Sequence, residues 1–496
     1  MSSPVEIPIQ SLVQIDLASK TPIYLQIANQ LINAIQRQFL LHGNRLPGTR
    51  EMSKKLAVHR NTIVKAYDEL EAQGWIEKIP NIGCFILTKS EKEKKRFRPK
   101  NASLQLYATQ CGFEFEKSNV LDFPSENEEN LLSINDGIPD IRLTEVALSS
   151  RLYSSNLNRK TNRSSFAQTS LNGNLYFRKN LSNFLNLSRG LHVSSNQITV
   201  TRSLEMCIYI ATEIILKPKD VVVVAALSYY VPNMIFNQKG ANVLTVPVDE
   251  EGLDVDALRI ICERQKVRML YLTPHHHYPT TVTLSAARRI ALLELAEKYG
   301  FVILEDDFDY DFHFDRHPLL PLASADQLGR VIYIGSFGKS LAPGFRTGFL
   351  VAPEDFILET KKYLNILDRQ GDVLMEQVLG ELIEEGNIHR YLKKANKIYQ
   401  ERRDFLAKTL KKELSNEVQF TLPSGGLAVW IEFKNNLNLM KLKQNAKALK
   451  LFIPQHILYQ NQHISAMRIG FGHTNLDEIQ EIVAILKQAI ILSKIK

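Results

Sequence analysis

The rhythm of apolar positions divides the chain. Between residues 22 and 39, Ile27, Leu31, Ile35 and Phe39 fall four apart with Ile32 beside them, the spacing of one helix face. Pro22 suits the first turn, Thr21 its N-cap, and Gly43-Asn44 breaks the run. A short helix is expected from about Thr49. A further helix over 60–71 has Ile63, Ala66, Tyr67 and Leu70 on its core face and Arg60, Asn61, Thr62 and Lys65 opposite. Residues 75–78 and 84–87 read as two strands around Pro80-Asn81-Ile82-Gly83. Three helices and a two-stranded wing make a winged helix-turn-helix, whose second helix enters the major groove by its N-terminal end. Arg60, Asn61, Thr62 and Lys65 would then meet bases or phosphates, and Arg50 phosphate. The plain alternative is a generic three-helix core.

Residues 89–100 are almost all charged, and polar, weakly periodic sequence runs on to about residue 130. With little to bury, 89–130 reads as a solvated, flexible tether. From about residue 131, short apolar runs (221–224, 269–272, 301–304, 331–334) alternate with amphipathic helices such as 285–299. That texture indicates a mainly parallel sheet covered on both faces, with ligands at the C-terminal strand ends. The notable residues fall there: Ser203 after 197–201, Tyr229 after 221–224, Asp306 after 301–304 and Lys339 after 331–334.

Lys339 sits in a turn of small residues behind a buried strand, where desolvation favours a nucleophilic amine able to form a Schiff base with pyridoxal phosphate (PLP). Arg346, seven residues on, could grip a phosphate; the plain alternative for this stretch is a loop lysine beside a structural arginine. Asp306 could pair with a protonated pyridine nitrogen, although Glu305-Asp306-Asp307 also reads as a solvated turn or a metal site. Tyr229 could stack on a ring or simply pack. Backbone N–H groups at Ser203-Leu204-Glu205 could hold phosphate at a helix N-terminus, with Ser336 and Arg346 completing the cup.

Bulk properties narrow the class. A chain of 496 residues allows two to four domains. Residues 1–100 hold 16 Lys and Arg against 9 Asp and Glu, a net of +7 in a chain of +8. That asymmetry suggests a nucleic-acid-binding N-terminus, with a solvated basic face as the plain alternative that charge alone does not decide. No apolar run approaches the ~20 residues of a membrane helix, and no secretory signal is visible. Cys84, Cys111, Cys207 and Cys262 are too dispersed for zinc or a disulfide framework and read as free thiols in a reducing cytoplasm. His275, His276 and His277 lack metal-ligand spacing, so no metal is expected.

Leu46-Pro47-Gly48-Thr49-Arg50, Arg60-Asn61-Thr62-Ile63, Ala66-Tyr67-Asp68-Glu69-Leu70 and Gly83-Cys84-Phe85 resemble, in order and spacing, the GntR-type DNA-binding domain over residues 14–88. Gly48 and Ser53 depart from the usual pattern, and the wing lacks a basic Gly-rich tip. Residues 131–496 resemble the fold-type I PLP enzymes of the aminotransferase superfamily, through Gly137-Ile138-Pro139-Asp140, Ser188-Arg189-Gly190, the 273–280 stretch and Arg468-Ile469-Gly470-Phe471. The combination resembles the MocR family. The resemblance implies PLP on Lys339, Asp306 at the pyridine nitrogen, Ser336 and Arg346 at the phosphate, Tyr229 stacked, and Arg468 at a ligand carboxylate. It also implies a homodimer on a double-stranded DNA operator, with an amino acid or amine as effector.

Departures bear on turnover. Phe308 stands where the family's tyrosine bonds the cofactor's phenolic oxygen, unless Tyr310 substitutes. His277 and Thr281 replace Gln and Gly near the same oxygen, and Ser203-Leu204-Glu205 replaces Gly-Ser-Gln. Each lost charge-assisted hydrogen bond is worth roughly 1.5–3 kcal/mol, which weakens PLP binding without abolishing it. The expectation is a PLP-sensing regulator with at most residual transaminase activity. The alternatives are a working aminotransferase with an appended DNA module, and a PLP-free dimeric scaffold.

Overall fold

The computed structural model describes residues 9–87, 108–122, 131–162 and 172–494, apart from residues 18, 20, 37, 38, 42, 81, 316, 317 and 342. The chain forms two compact units, Met1–Phe115 and Glu116–Lys496.

In the first unit, helices Ile23–Gln36, Thr49–Leu56 and Arg60–Ala72 pack around Ile27, Leu31, Met52, Ile63, Tyr67 and Leu70, all fully buried. The first helix stops earlier than its periodicity implies. Phe39, expected on the core face, is 64% exposed, and Leu40 fills the core instead. A short helix, Ile9–Leu12, adds Ile9 to this core. The wing strands Ile76–Ile79 and Gly83–Ile86 gain a third partner, Arg45–Leu46, antiparallel to the second. A two-stranded hairpin alone is marginal in water, so the extra strand anchors the wing to the helices.

The second unit is built on a seven-stranded sheet. Its order is Ile198–Thr201, Gly348–Val351, Val331–Ser336, Val302–Asp306, Val267–Leu272, Val221–Ala225, Asn242–Val246. Gly348–Val351 alone runs against its neighbours. Alternate side chains serve opposite faces. Val223, Leu270 and Ile303 enter one core, and Val224, Met269, Leu304 and Ile332 the other. Each fully buried aliphatic side chain stabilises by about 1.5–3 kcal/mol, so continuous apolar strands are what a sheet covered on both faces selects. Downstream, helices Asn387–Leu414 and Leu476–Lys494 cover a four-stranded antiparallel sheet that includes Ala428–Phe433 and Ser465–Gly470.

Most of the expected tether lies outside the described residues. The described part, 108–122, is not free along its whole length: a turn at Asn119–Leu121 lies against the Tyr230–Gln238 helix, and Ser118 Oγ donates to Gln238 Oε1 at 2.8 Å. No helix among the described residues is long and apolar enough to cross a membrane.

Candidate functional site

Parallel strands end together, so the residues that follow them converge on one rim. A cavity of about 380 Å³ opens there, within the size range of small-molecule sites. Ser203, Leu204, Tyr229, Asp306, Ser336, Lys339 and Arg346 line it, and so do Glu205 and Phe308.

The phosphate side is made by close backbone approach. Ser203 caps the Leu204–Ile215 helix, its Oγ accepting from Met206 N at 3.2 Å. Gly348, in the neighbouring strand, is held so near that an added Cβ would lie 2.6 Å from the Ser203 backbone. Ser336 Oγ accepts from Gly338 N at 2.9 Å and donates to Thr347 O at 3.2 Å, fixing the turn that carries Lys339. Arg346 adopts a left-handed backbone, φ 42°. Arg202 also lines the cavity, but its guanidinium is paired with Asp368 at 2.7 Å and Asp372 at 3.4 Å.

The three consecutive acids at the end of the Val302–Asp306 strand separate by role. Glu305 turns away and accepts from Leu322 N and Ala323 N at 2.8 and 2.9 Å; burial pushes its carboxyl up to about 8. Asp307 is buried too, but the His275 ring at 2.7 Å, Arg189 and the Tyr333 hydroxyl at 2.6 Å hold its carboxyl below the usual range. Only Asp306 of the three faces the cavity. Its Oδ2 accepts from the Tyr271 hydroxyl at 2.6 Å, and its buried Oδ1 has no partner among the described residues. Burial pushes its carboxyl up to about 7, against the pull of the Tyr271 hydrogen bond.

Tyr229 begins the Tyr230–Gln238 helix, and its ring packs edge-on against Tyr278, centroids 5.2 Å apart. Lys339 Nζ stands 4.2 Å from the centre of the Phe308 ring and 3.0 Å from Asp309 Oδ1. Asp309 and Tyr271 were missed in the sequence. Tyr271 lies within an apolar strand and reads as core, and Asp309 reads as one more acid in an acidic turn.

Three expected residues do not line the cavity. Tyr310 does not take the place left by Phe308: its hydroxyl donates to Ser188 O at 3.0 Å, and the Arg189 guanidinium sits 4.6 Å from its ring centre. His277 is buried behind the wall, its Nδ1 2.8 Å from Thr280 Oγ1. Desolvation pushes its ring down to about 3. Arg468 is fully buried beneath Tyr278, donating to Asp136 O at 2.8 Å and Pro279 O at 2.9 Å. No group of His, Cys, Asp or Glu among the described residues could hold a metal.

In the first unit, Arg50, Arg60, Asn61 and Lys65 are exposed and Thr62 half-buried. Arg60 Nε lies 3.4 Å from Thr49 Oγ1, joining the N-termini of two helices. His59, overlooked in the sequence, caps the Arg60–Ala72 helix by accepting from Asn61 N. The Tyr67 hydroxyl donates to Pro47 O at 2.7 Å and ties that helix to the segment just before the Thr49–Leu56 helix.

Residues 140–486 match the family of class I and II aminotransferases. The chain belongs to that family. Residues 23–86 match the bacterial regulatory proteins of the gntR family, and the two together give the architecture of MocR-type regulators. Among similar proteins is an uncharacterized HTH-type transcriptional regulator, YdfD of Bacillus subtilis. It is 24% identical over 93% of this chain and 95% of its own length. The probable rhizopine catabolism regulatory protein MocR of Rhizobium meliloti is 22% identical over 85% of this chain and 84% of its own. Among solved structures, the kynurenine aminotransferase of Pyrococcus horikoshii shares the fold at a TM-score of 0.68 and 24% identity. It covers 74% of this chain and 92% of its own. This chain is thus a GntR-type transcriptional regulator fused to an aminotransferase-like body.

Proposed function

We propose that the body holds PLP on Lys339, senses PLP or an amino compound through it, and alters the DNA contacts of the N-terminal unit. The observation that carries this reading is the unpartnered, buried Oδ1 of Asp306, at a cavity rim shared with Lys339 and Arg346. A buried carboxylate oxygen without a donor is costly, and a pyridinium N–H supplies one. Ser203, Leu204, Ser336 and Arg346 fit the phosphate, and Tyr229 fits the ring. When bound, PLP supplies an electron sink and an electrophilic carbon for amines. The chain's own residues orient it, exclude water with Tyr229, Tyr278 and Phe308, and hold charge at Asp306. Phe308 brings no hydroxyl to the phenolic oxygen, and Glu205 places a carboxylate beside the phosphate side, so the site suits retention of a ligand better than fast turnover.

On the DNA side, Arg60, Asn61, Thr62 and Lys65 meet the major groove and Arg50 a phosphate. Two copies of the chain would present two such modules to one operator.

The test is a visible absorption spectrum of the protein with added PLP, beside Lys339→Ala, followed by candidate amines. A band in the parent that the variant lacks supports the reading. A slow amine-dependent change without keto-acid release favours a sensor, and keto-acid release with turnover favours an enzyme. No band in either protein leaves a DNA-binding scaffold.

A further inference from the structure

Asp309 is fully buried on the turn after the Val302–Asp306 strand. Its Oδ1 lies 3.0 Å from Lys339 Nζ and its Oδ2 3.8 Å from a terminal nitrogen of Arg468. Neither oxygen has a well-formed hydrogen bond among the described residues. Burial lifts this carboxyl above its usual range, and two cations, Lys339 and Arg468, oppose that lift and share it. Arg468 has other acceptors in the Asp136 and Pro279 carbonyls. Lys339 has the face of Phe308, a weaker partner than an anion. Asp309 makes the ion pair of Lys339 among the described residues.

We propose that Asp309 is a positioning residue for the reactive nitrogen: it holds the Lys339 amine in place before cofactor arrives, then stays beside that nitrogen as counter-ion of the protonated C=N bond. This rests on Lys339 being the cofactor lysine. In the joining step the ammonium gives up one proton, the freed nitrogen lone pair bonds to the aldehyde carbon, and the aldehyde oxygen leaves as water carrying that proton and a second one from the nitrogen. One proton stays, so a single positive charge faces Asp309 before and after. The other charged groups near Asp309 are Arg468 on the Ser465–Gly470 strand and Asp136 on the loop after Leu132–Ser133. His276, packed over Gly426, is pushed down to about 3 by burial and stays neutral. Asp306 acts on Lys339 from the strand end.

The test titrates the visible band of the PLP-loaded protein with base. Asp309→Asn is expected to lower the midpoint by about one to two pH units, and Asp309→Glu to restore most of the shift. An unchanged midpoint in an Asp309→Asn protein that still shows the band overturns the proposal. Arg468→Met, which leaves Asp309 to Lys339 alone, is expected to raise the midpoint; it serves if Asp309→Asn does not fold, and no rise then overturns the proposal. A cofactor-free arm separates this inference from the function proposed above. Lys339 is acetylated by acetic anhydride at fixed pH and quantified by peptide mass spectrometry against exposed lysines. Asp309→Asn is expected to raise its labelling on the order of threefold. If the parent takes up no PLP, the cofactor reading fails and this arm decides alone: unchanged labelling overturns the role of Asp309.

Discussion

Replacing Asp306 with Asn should stabilise the cofactor-free protein at alkaline pH while weakening its hold on PLP. Asp306 is 1% exposed, and burial lifts its carboxyl from 3.8 to about 7. For an acid raised in this way, the stabilising effect is full below the unfolded value. It is lost as pH climbs toward the folded value, because the folded protein takes up a proton that the unfolded chain releases. At about 1.36 kcal/mol per pH unit, the loss between roughly pH 5.5 and 8.5 is about 2 kcal/mol. Asn has the same shape and still accepts from Tyr271, so it removes the charge and little else. Glu305, lifted to about 8, loses stability on its own account in both proteins and cancels in the comparison. Urea unfolding at the two pH values should show the parent losing about 2 kcal/mol more than Asp306→Asn. Parallel pH profiles would refute the claim that Asp306 is held as a costly buried acid awaiting a donor. With PLP present the order should reverse. Loss of an ionic hydrogen bond worth roughly 1.5–3 kcal/mol should weaken cofactor binding by about 10- to 100-fold.

Arg60→Ala should weaken binding to a DNA fragment selected by the parent protein, by about 1–3 kcal/mol if the side chain reads a base, and leave the PLP band intact; fluorescence anisotropy with unchanged affinity would remove this residue from the interface. Phe308→Tyr should tighten PLP by roughly 1.5 kcal/mol, since Tyr310 is committed to Ser188 and cannot already serve; an unchanged equilibrium dialysis curve would count against the missing hydroxyl. Gly348→Ala should separate the Ser203 backbone from the sheet, and PLP affinity should fall about tenfold while pyridoxal, lacking the phosphate, is affected less. Equal losses for both ligands would place the damage elsewhere than the phosphate side.

The strands that carry the rim were readable because burial on both faces leaves an unbroken apolar run, as in Val221–Ala225 and Val331–Ser336. Asp306 and Lys339 followed from their place behind such runs. Other features needed three dimensions. Arg45–Leu46 is too short for any alternation to show, and it exists only because the wing offers it an edge. The Tyr271 hydroxyl and Asp309 carboxyl reach the site from positions whose sequence context fits a core strand and a solvated turn equally well. Periodicity gives the direction of a side chain in a strand, but not in the turns that follow. For this reason Tyr310, placed at the site by motif, is turned to Ser188; Arg468, within the Ser465–Gly470 strand, is instead covered by Tyr278. The Phe39 error has the same root. Helical spacing continues in the sequence past the residue where the chain leaves the helix, because Leu40 can fill the core from a bend.

The antiparallel strand Gly348–Val351 of the seven-stranded sheet has a consequence for how this rim can vary. Ser336 pairs with Gly348 across the ladder, and everything from Phe337 to Thr347 hangs from that neck. Lys339 and Arg346 therefore belong to one closed excursion whose span is set by how many residues it contains. Asp306, Tyr229 and Ser203 reach the rim from separate strands, each free to drift or be exchanged independently. Side-chain replacements within 337–347 would change chemistry one contact at a time. A single-residue insertion or deletion there would rotate the amine and the guanidinium out of step together. Among descendants of such a sequence, the length of this excursion should be the last feature to change.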